Sequence, residues 1–279
     1  MKIGIVGLGL IGGSLGLAWR ARGHWVVGLS RQASTLEKAL ARGVVDQASQ
    51  DWAALATAEV IFLCTPMDRL LPSLEALLPH LQPHTLVTDV GSVKTFVCEA
   101  GEALWSGFIG GHPMAGTTAQ GIDGADGGLF KGAPYVLTPT AQTHPQALSR
   151  LQELLVTLEV KLYTCSPAAH DQAVAWISHL PVLVSAGLIA ACGQETQPQV
   201  ASLAQHLASS GFRDTSRVGG GNPELGMMMA QFNRLPLLQS LQVYRQQLDH
   251  LYALLETEDW PSLEAFLQQT QGDRPKFLG

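Results

Sequence analysis

Three glycines near the start of the chain have the spacing of a phosphate-binding loop. Gly7, Gly9 and Gly12 fit the pattern G-x-G-x-x-G, which follows the apolar strand KIGIVG and opens a helix. In such loops the first glycine permits a tight turn, the second lets the backbone approach a pyrophosphate, and the third lets helix and strand pack closely. The N–H groups at the helix start favour phosphate. This context predicts a dinucleotide site built from Gly7, Leu8, Gly9, Leu10, Ile11 and Gly12.

The end of the second strand, WVVGL, indicates which dinucleotide binds. An NAD-selective site has Asp or Glu there to accept a hydrogen bond from the ribose 2′-OH. This chain has Ser30 and Arg31 instead. A guanidinium and a hydroxyl group can bind a 2′-phosphate, which an acidic residue would repel. We therefore expect NADP rather than NAD, the alternative being that Arg31 is a solvated surface residue.

Further polar residues follow later apolar strands. Thr65 and Pro66 end the strand EVIFLCTP, and Ser92 follows a strand that ends near Asp89 and could also cap the next helix. His112 lies in GGHPMAGT, among residues small enough to leave room for a flat ring. Ligands of doubly wound sheets bind at the carboxyl ends of the strands. We expect Thr65, Ser92 and His112 on one rim, beside the nicotinamide end of the cofactor.

The order of the elements predicts how these residues are positioned. Strands and helices alternate up to residue 165, which predicts an α/β fold with a Rossmann-type, doubly wound, mostly parallel sheet over residues 1–165. Residues 166–279 show no strand pattern and predict an all-α domain for substrate binding and dimerisation. Within it, Ser209–Gly226 is interpreted as a polar, glycine-rich loop that ends at a helix capped by Asn222. Substrate would bind in the cleft between the two domains.

Composition excludes several functions. The 279 residues are 46% hydrophobic and 14% charged, with a net charge of −6, which is typical of a globular protein. The basic residues are scattered singly, so the basic face of a nucleic-acid-binding protein is missing. The four cysteines lack C-x-x-C spacing and are expected to be reduced. No cluster has metal-ligand spacing and no signal peptide is visible, so we expect a cytoplasmic protein without a metal.

One segment requires a membrane check. Ala173–Cys192 contains no charged residue and is long enough to span a bilayer. Its flanking residues Asp171 and Glu195 are acidic rather than basic. It is interrupted at Ser178, His179, Pro181 and Ser185. We predict a buried helix rather than a membrane span, and a homodimer that supplies part of its cover.

Five segments together resemble the prephenate/arogenate dehydrogenase family, closest to its cyanobacterial-type NADP-dependent arogenate dehydrogenases. They are, in order, GLGLIGGSL, TDVGSVK, GGHPMAG, ISHLP and GFRDTSRV, and the likeness covers nearly the whole chain. The resemblance implies an oxidative decarboxylation in the biosynthesis of tyrosine. A hydride leaves the hydroxyl-bearing ring carbon for NAD(P)⁺, CO₂ leaves the opposite carbon, and the ring becomes aromatic. Arogenate gives tyrosine, and prephenate gives 4-hydroxyphenylpyruvate.

The resemblance also implies roles for individual residues. His112 is similar to the catalytic histidine, which takes up the hydroxyl proton as a neutral base, and Ser92 would hydrogen-bond His112 or the substrate hydroxyl. Arg217 matches the arginine that binds a substrate carboxylate. Arg213 is expected to pair with Asp214. Further substrate contacts are implied for Ser178, His179 and the backbone of Gly221, although His179 alone is equally compatible with an ordinary helix histidine.

Several alternatives remain open. Many prephenate-specific members follow SHLP with a second histidine, where this chain has Val182. Together with the NADP preference, this residue favours arogenate over prephenate. A β-hydroxyacid dehydrogenase would need a lysine on the interdomain helix, and Gln172–Cys192 contains none. A non-catalytic NADP sensor would not need both His112 and Arg217 in one cleft.

Overall fold

A computed structural model describes residues 1–117 and 119–278. The chain forms two compact units, Met1–Asn233 and Arg234–Gly279. The first unit contains an eight-stranded sheet with the order β3-β2-β1-β4-β5-β6-β7-β8. Every neighbouring pair is parallel except β6 and β7, so the predicted mostly parallel, doubly wound sheet is confirmed. The strands are β1 (Lys2–Val6), β2 (Trp25–Leu29), β3 (Gln47–Ser49), β4 (Val60–Leu63), β5 (Leu86–Asp89), β6 (Phe108–Pro113), β7 (Pro134–Thr138) and β8 (Lys161–Thr164).

Helices cover both faces of the sheet, which explains why its inner strands are continuously apolar. Along β4, Val60 and Phe62 pack into one hydrophobic cluster, and Ile61 and Leu63 pack into the other. Alternate residues of a strand point to opposite faces, so an inner strand with two covered faces needs an apolar residue at each position. The helices of this half are α1 (Leu10–Ala21), α2 (Ala33–Ala41), α3 (Leu70–Leu77), α4 (Thr95–Leu104) and α5 (Pro145–Val156).

Helices continue through the rest of the chain. A π-helical turn, Ala175–His179, joins α6 to α7, and a 3₁₀ helix, Arg217–Gly220, follows α9. The remaining helices of the first unit are α6 (Pro167–Val174), α7 (Leu180–Cys192), α8 (Pro198–Leu207), α9 (Ser210–Ser216) and α10 (Pro223–Phe232). The second unit contains α11 (Arg234–Glu256), α12 (Trp260–Asp273) and the 3₁₀ helix Arg274–Phe277.

The predicted loop Ser209–Gly226 is wrong over its first half, which is helical. Ser209 caps α9, and Thr215 and Ser216 satisfy their hydroxyl groups by donating to helix carbonyls one turn earlier. The polar residues that suggested a loop therefore have partners within the helix. The predicted cap at Asn222 is confirmed, since its side chain accepts a hydrogen bond of 2.9 Å from the N–H of Glu224.

The predicted domain boundary at residues 165/166 does not separate the two compact units. Helix α6 begins right after it, yet packs against α4 and β7 of the sheet, so both sides of the boundary lie in the first unit. The assignment of residues 166–279 to one helical substrate and dimerisation domain stays a prediction.

The apolar helix is not buried by a single copy of the chain. Pro167–Cys192 is long and apolar enough to cross a membrane, and only 28% of its most apolar window is buried. Trp176, Ile177 and Ile189 are exposed along it. One chain therefore leaves much of this helix exposed, and the expectation that a homodimer supplies part of its cover stays a prediction.

Candidate active site

The glycine loop sits where α1, β1 and β4 approach one another. Gly7 has a φ of +94°, and a Cβ atom there would lie 2.7 Å from the carbonyl oxygen of Cys64. A Cβ atom at Gly12 would lie 1.9 Å from the carbonyl oxygen of Gly7, whereas one at Gly9 would meet nothing within 4 Å. Helix α1 starts after Gly9 with no side-chain cap on its N–H groups. Backbone packing therefore requires two of the glycines, and the space beside Gly9 fits a pyrophosphate at the helix start.

The other predicted cofactor residues follow β2 and β4, on either side of β1. The strand order reverses here, which is where doubly wound sheets bind dinucleotides. Ser30 is half-buried and accepts a hydrogen bond from the N–H of Gln32 at 3.3 Å. The guanidinium of Arg31 is exposed and pairs with none of the described side chains. Beyond β4, Thr65 Oγ1 lies 3.4 Å from the hydroxyl oxygen of Ser73, and Pro66 is exposed.

His112 lies inside β6 rather than beyond its end, paired with Val136 of β7. It is buried, with 9% of its surface exposed. The sequence suggested that the small residues around His112 leave room for a flat ring. The two preceding glycines do not provide this space. A Cβ atom at Gly110 would lie 2.4 Å from the sulfur of Cys98, and one at Gly111 would lie 2.9 Å from the carbonyl oxygen of Asp89. They are needed because β6 packs against its neighbours at very short distance.

A second histidine and an aspartate extend behind His112. Nδ1 of His112 lies 2.9 Å from Nε2 of His170, and Nδ1 of His170 lies 2.8 Å from Oδ1 of Asp171. Both residues lie on α6 and are buried, with 2% and 3% exposure. The sequence alone assigns no role to His170.

Asp171 also caps α4, which the sequence had assigned to Ser92. Its two carboxylate oxygens accept hydrogen bonds from the backbone N–H groups of Lys94 (2.7 Å) and Thr95 (2.8 Å). Burial acts to raise the pKa of Asp171, but hydrogen bonds from His170, Thr95 and Lys94 outweigh it and hold this pKa below its ordinary value. Ser92 lies three residues before the helix, and its buried hydroxyl oxygen has no hydrogen-bond partner among the described residues.

This chain of hydrogen bonds fixes which ring nitrogens carry protons. An ionised Asp171 accepts, so Nδ1 of His170 must carry a hydrogen, and in the uncharged ring its Nε2 accepts. Nδ1 of His112 then carries a hydrogen, and Nε2 of His112 keeps a lone pair. Burial lowers the pKa of His112 well below its ordinary value, and the nearby His170, Lys94 and His179 lower it further. At neutral pH, His112 is therefore an uncharged ring with an available acceptor.

A buried ion pair holds the backbone beside His112. Lys94 Nζ donates to the carboxylate of Asp89 and to the carbonyl oxygen of Gly111, the latter at 2.7 Å. Asp89 also accepts from the N–H groups of Gly91 (2.8 Å) and Gly111 (3.1 Å). Both charged side chains are fully buried. The pair ties the end of β5, the following loop and β6 together, so the loop that carries Ser92 is fixed next to His112.

The ring of His179 is held with its hydrogen on the other nitrogen from that of His112. It ends the π-helical turn Ala175–His179, a kind of distortion frequent at functional sites, and Ser178 beside it is half-buried. Asn233 Nδ2 lies 3.0 Å from Nδ1 of His179 and 2.8 Å from the carbonyl oxygen of Asp171. The amide nitrogen donates both of its hydrogens, so Nδ1 of His179 accepts and its Nε2 carries a hydrogen.

The N–H of His179 has no acceptor within the described parts of the chain, although Nε2 is buried. Burial lowers the pKa of His179 to about 4, with Asp171 acting to raise it and His170 to lower it. At neutral pH this ring is an uncharged donor without a partner. A buried donor in this state is expected to face a ligand or a water molecule.

The structure places Arg217 on the exposed side of the 3₁₀ helix Arg217–Gly220, where its guanidinium pairs with none of the described acidic groups. This helix packs against α7, since a Cβ atom at Gly219 would lie 2.3 Å from the backbone nitrogen of Ala186. Ser185 donates to the carbonyl oxygen of Thr215 at the same contact. Position 185 is six residues beyond His179, about 9 Å along a helix axis.

Residues near Arg217 in the sequence make contacts within the chain. Packing accounts for Gly219, whereas Gly221 is exposed and donates a long bond of 3.4 Å to the carbonyl oxygen of Val218. Arg213 pairs with Asp214 at 3.4 Å, with both side chains 74% exposed. Such an exposed pair contributes little stability. No group of three or more metal-ligating side chains comes together in residues 1–117 and 119–278.

Comparison with known families identifies the family of the chain. Residues 15–164 match the family model described as prephenate dehydrogenase, nucleotide-binding domain. Residues 166–269 match the one described as prephenate dehydrogenase, dimerization domain. The chain belongs to the prephenate dehydrogenase family.

Three members of this family show how close the likeness is. The prephenate dehydrogenase of Bacillus subtilis is 30% identical over 97% of this chain and 74% of its own length. The crystal structure of Synechocystis arogenate dehydrogenase is 62% identical, with a TM-score of 0.91, and the match covers 99% of this chain and 100% of that one. A prephenate dehydrogenase from A. aeolicus, in complex with hydroxyphenyl propionate and NAD⁺, is 25% identical, with a TM-score of 0.93, over 99% and 98% of the two chains.

Membership of the prephenate dehydrogenase family makes the chain an oxidoreductase of the prephenate or arogenate dehydrogenase type. The nucleotide-binding domain match and the NAD⁺ complex of a relative support a nicotinamide cofactor. In this chain the open space at Gly9 and the uncapped start of α1 fit that group.

Proposed function

We propose that the chain is an NADP-dependent arogenate dehydrogenase, which converts L-arogenate to L-tyrosine and CO₂. The observation that carries this proposal is the whole-length match, at 62% identity, to Synechocystis arogenate dehydrogenase. Val182, which replaces a histidine of many prephenate-specific members, supports it. Prephenate dehydrogenase is the second candidate, because the B. subtilis and A. aeolicus relatives carry that name.

The cofactor would be held along the carboxyl ends of β1, β2 and β4. Its pyrophosphate would lie on Gly7–Gly12 at the start of α1, and Thr65 and Pro66 would line the path to the nicotinamide. Arg31 and Ser30 would bind the 2′-phosphate, since Arg31 is exposed and uncommitted to any described acidic group. When bound, NADP⁺ accepts the hydride.

His112 would act as the base and then return its proton. As a hydride leaves the hydroxyl-bearing carbon, Nε2 of His112 takes the hydroxyl proton and a ring carbonyl forms. The bond to the ring carboxylate then breaks, CO₂ leaves, and its electron pair makes the ring an aromatic phenolate. The phenolate oxygen takes the proton back from His112, so no net proton is consumed. Ser92, whose hydroxyl oxygen is buried without a described partner, would hydrogen-bond the same oxygen.

Other residues would orient the substrate. Arg217 would bind a carboxylate with its fork of donors, and the N–H of His179 would donate to a second acceptor, with Ser178 and the backbone of Gly221 beside them. His179 has a pKa of about 4 and is uncharged at pH 7. It therefore adds no positive charge that would repel the ammonium group by which arogenate differs from prephenate.

A homodimer in the cytoplasm would account for the exposed apolar surface. The helix Pro167–Cys192 leaves most of its apolar residues uncovered in one chain, and the second family model is that of a dimerization domain. A membrane span is disfavoured because the same helix contributes His170 and Asp171 to a buried hydrogen-bond chain. Light scattering of the purified protein should give twice the mass of one chain without detergent, and a monomer would contradict this.

One assay tests the proposed activity. NADPH or NADH formation is measured with arogenate and prephenate, each with NADP⁺ and NAD⁺. We expect the highest kcat/KM with arogenate and NADP⁺. A higher value with prephenate would replace the proposal by the second candidate. Absence of turnover with both substrates would refute both and leave a β-hydroxyacid dehydrogenase or a non-catalytic sensor.

The variant Arg31→Ala tests the cofactor preference in the same assay. It should lower kcat/KM for NADP⁺ at least about 10-fold, because it removes a charge-assisted bond to phosphate, and should leave NAD⁺ within about 2-fold. Arg69→Ala, which removes another exposed arginine, is the control. Equal losses with both cofactors would contradict the 2′-phosphate role.

A further inference from the structure

The proposed reaction uses His112 but leaves two buried ionisable residues behind it unexplained. His170 and Asp171 are nearly inaccessible, and they form an unbroken chain with His112. Asp171 needs only its bonds to the α4 backbone in order to cap that helix. Its additional bond to His170 joins the cap to the site.

The direction of these bonds is set from the Asp171 end. Its carboxylate has no proton to donate, so in uncharged rings the hydrogen of each ring lies on Nδ1. The outer nitrogen of His112, Nε2, is then left with a lone pair and no described partner. Without an acceptor at His170, nothing would hold His112 in this form, and a hydrogen on Nε2 would block proton uptake.

The hydrogen bonds from His112 through His170 to Asp171 can also move a positive charge. A proton taken up by His112 would make it a buried cation close to Lys94, and burial, His170 and Lys94 all lower the pKa of His112. Transfer of the Nδ1 hydrogen to Nε2 of His170 would move the positive charge one ring away from Lys94 and next to the ionised Asp171. The bond from His112 Nδ1 to its hydrogen breaks, the bond to His170 Nε2 forms, and the reverse transfer follows when the product oxygen is protonated.

We propose that His170 is a positioning residue for His112. Backed by Asp171, it fixes the Nδ1–H tautomer of His112 and shares the proton that His112 takes from the substrate. This inference rests on the proposed function for the identity of the base, whereas the tautomer itself can be measured without turnover.

The first test is a ¹⁵N NMR spectrum of the full-length protein labelled at histidine, at pH 7.5 with NADP⁺. We expect His112, assigned by its absence in His112→Asn, to show a protonated Nδ1 and an unprotonated Nε2. A protonated Nε2 on His112 would overturn the proposal, whether or not the enzyme turns over arogenate.

The second test compares His170→Phe with His170→Gln. Phenylalanine removes the acceptor, so kcat should fall at least about 10-fold, a part of the 10²–10⁴-fold that a general base contributes, while KM stays within about 3-fold. The amide oxygen of glutamine can accept from Nδ1 of His112 but cannot carry its proton. The Gln variant should therefore keep the Nδ1–H tautomer and recover part of the rate.

The control is His206→Gln, which changes an exposed histidine bonded to a helix carbonyl and should leave kcat and the His112 signals unchanged. A wild-type rate in His170→Phe with His112 still in the Nδ1–H form would overturn the proposal. If the Phe variant does not fold, a His170→Gln variant that loses the Nδ1–H tautomer would overturn it instead. Failure of the wild type to oxidise either substrate would refute the proposed function and leave the tautomer result standing.

Discussion

His112 and His179 are both buried and uncharged at neutral pH, but their rings are held with opposite polarity. His112 donates through Nδ1 to His170, so its Nε2 is an acceptor. His179 accepts at Nδ1 from Asn233, so its Nε2 is a donor. The partners of the two rings meet at one residue, because Asp171 accepts from His170 through its side chain and from Asn233 through its backbone.

The contrast shows that the residue type alone does not define the chemistry of a histidine. The hydrogen bond at one ring nitrogen decides what the other nitrogen can do. An oxidation of a ring alcohol needs an acceptor for the hydroxyl proton and separate donors for the carboxylates. In this protein, different neighbours make one histidine, His112, an acceptor and another histidine, His179, a donor.

The largest effect should come from replacing the acceptor histidine. His112→Asn removes the base, and kcat for arogenate should fall by about 10²–10⁴-fold. Binding of NADP⁺, followed by fluorescence quenching, should stay near that of the wild type. The matched variant His179→Gln keeps an N–H donor near the same place and should retain kcat within about 10-fold. Near wild-type turnover by His112→Asn would remove it as the base.

The next effect concerns stability in acid. The pKa of His179 is about 4 in the folded chain, against 6.5 in the unfolded chain. Between these values the unfolded chain binds more protons, so the folded state loses stability as the pH falls from 6.5 to 4. The loss from this residue is about 3 kcal/mol. His179→Gln should reduce by about this amount the drop in the urea-derived free energy of unfolding between pH 7 and pH 4. An equally steep drop in the variant would mean that His179 does not resist protonation.

The smallest effect should come from reversing the direction of the hydrogen bond between Asn233 and His179. Asn233→Asp is nearly isosteric but replaces the donating amide by an acceptor, so Nδ1 of His179 must carry the hydrogen and Nε2 becomes a lone pair. The KM for arogenate should rise about 10-fold, roughly the cost of losing one hydrogen bond to a charged group, with a smaller change in kcat. Asn222→Asp, which keeps a helix cap, is the control. An unchanged KM at position 233 would place His179 outside the substrate site.

Most of the sheet could be predicted because its strands are continuous apolar runs with two covered faces. Residues 25–29 were predicted with the bounds that the structure shows for β2. Helix α2 and strand β3 were missed, since β3 is only three residues, Gln47–Ser49, and partly exposed. The antiparallel pairing of β6 with β7 places His112 inside a strand, and the apolar pattern that identified the strand does not report its pairing.

The site could be predicted only where a local motif marked it. Gly7–Gly12 and His112 stand in recognisable segments, whereas His170 is 58 residues from His112 and contacts it only because α6 packs beside β7. Asn233 is 54 residues from His179. Adjacent His170 and Asp171 were the only local sign of this chain of hydrogen bonds, and a histidine next to an acid is too common to predict one.

The pH dependence of kcat/KM for arogenate tests most directly that a neutral His112 takes the hydroxyl proton. Burial and nearby basic groups hold its pKa well below 6.5, and kcat/KM reports the ionisation of the free enzyme. We expect kcat/KM to be constant from pH 8 down to pH 6.5 and to fall only below that value as His112 becomes protonated. A loss of activity centred above pH 7 would show that a different group, or a His112 without its buried environment, is the base.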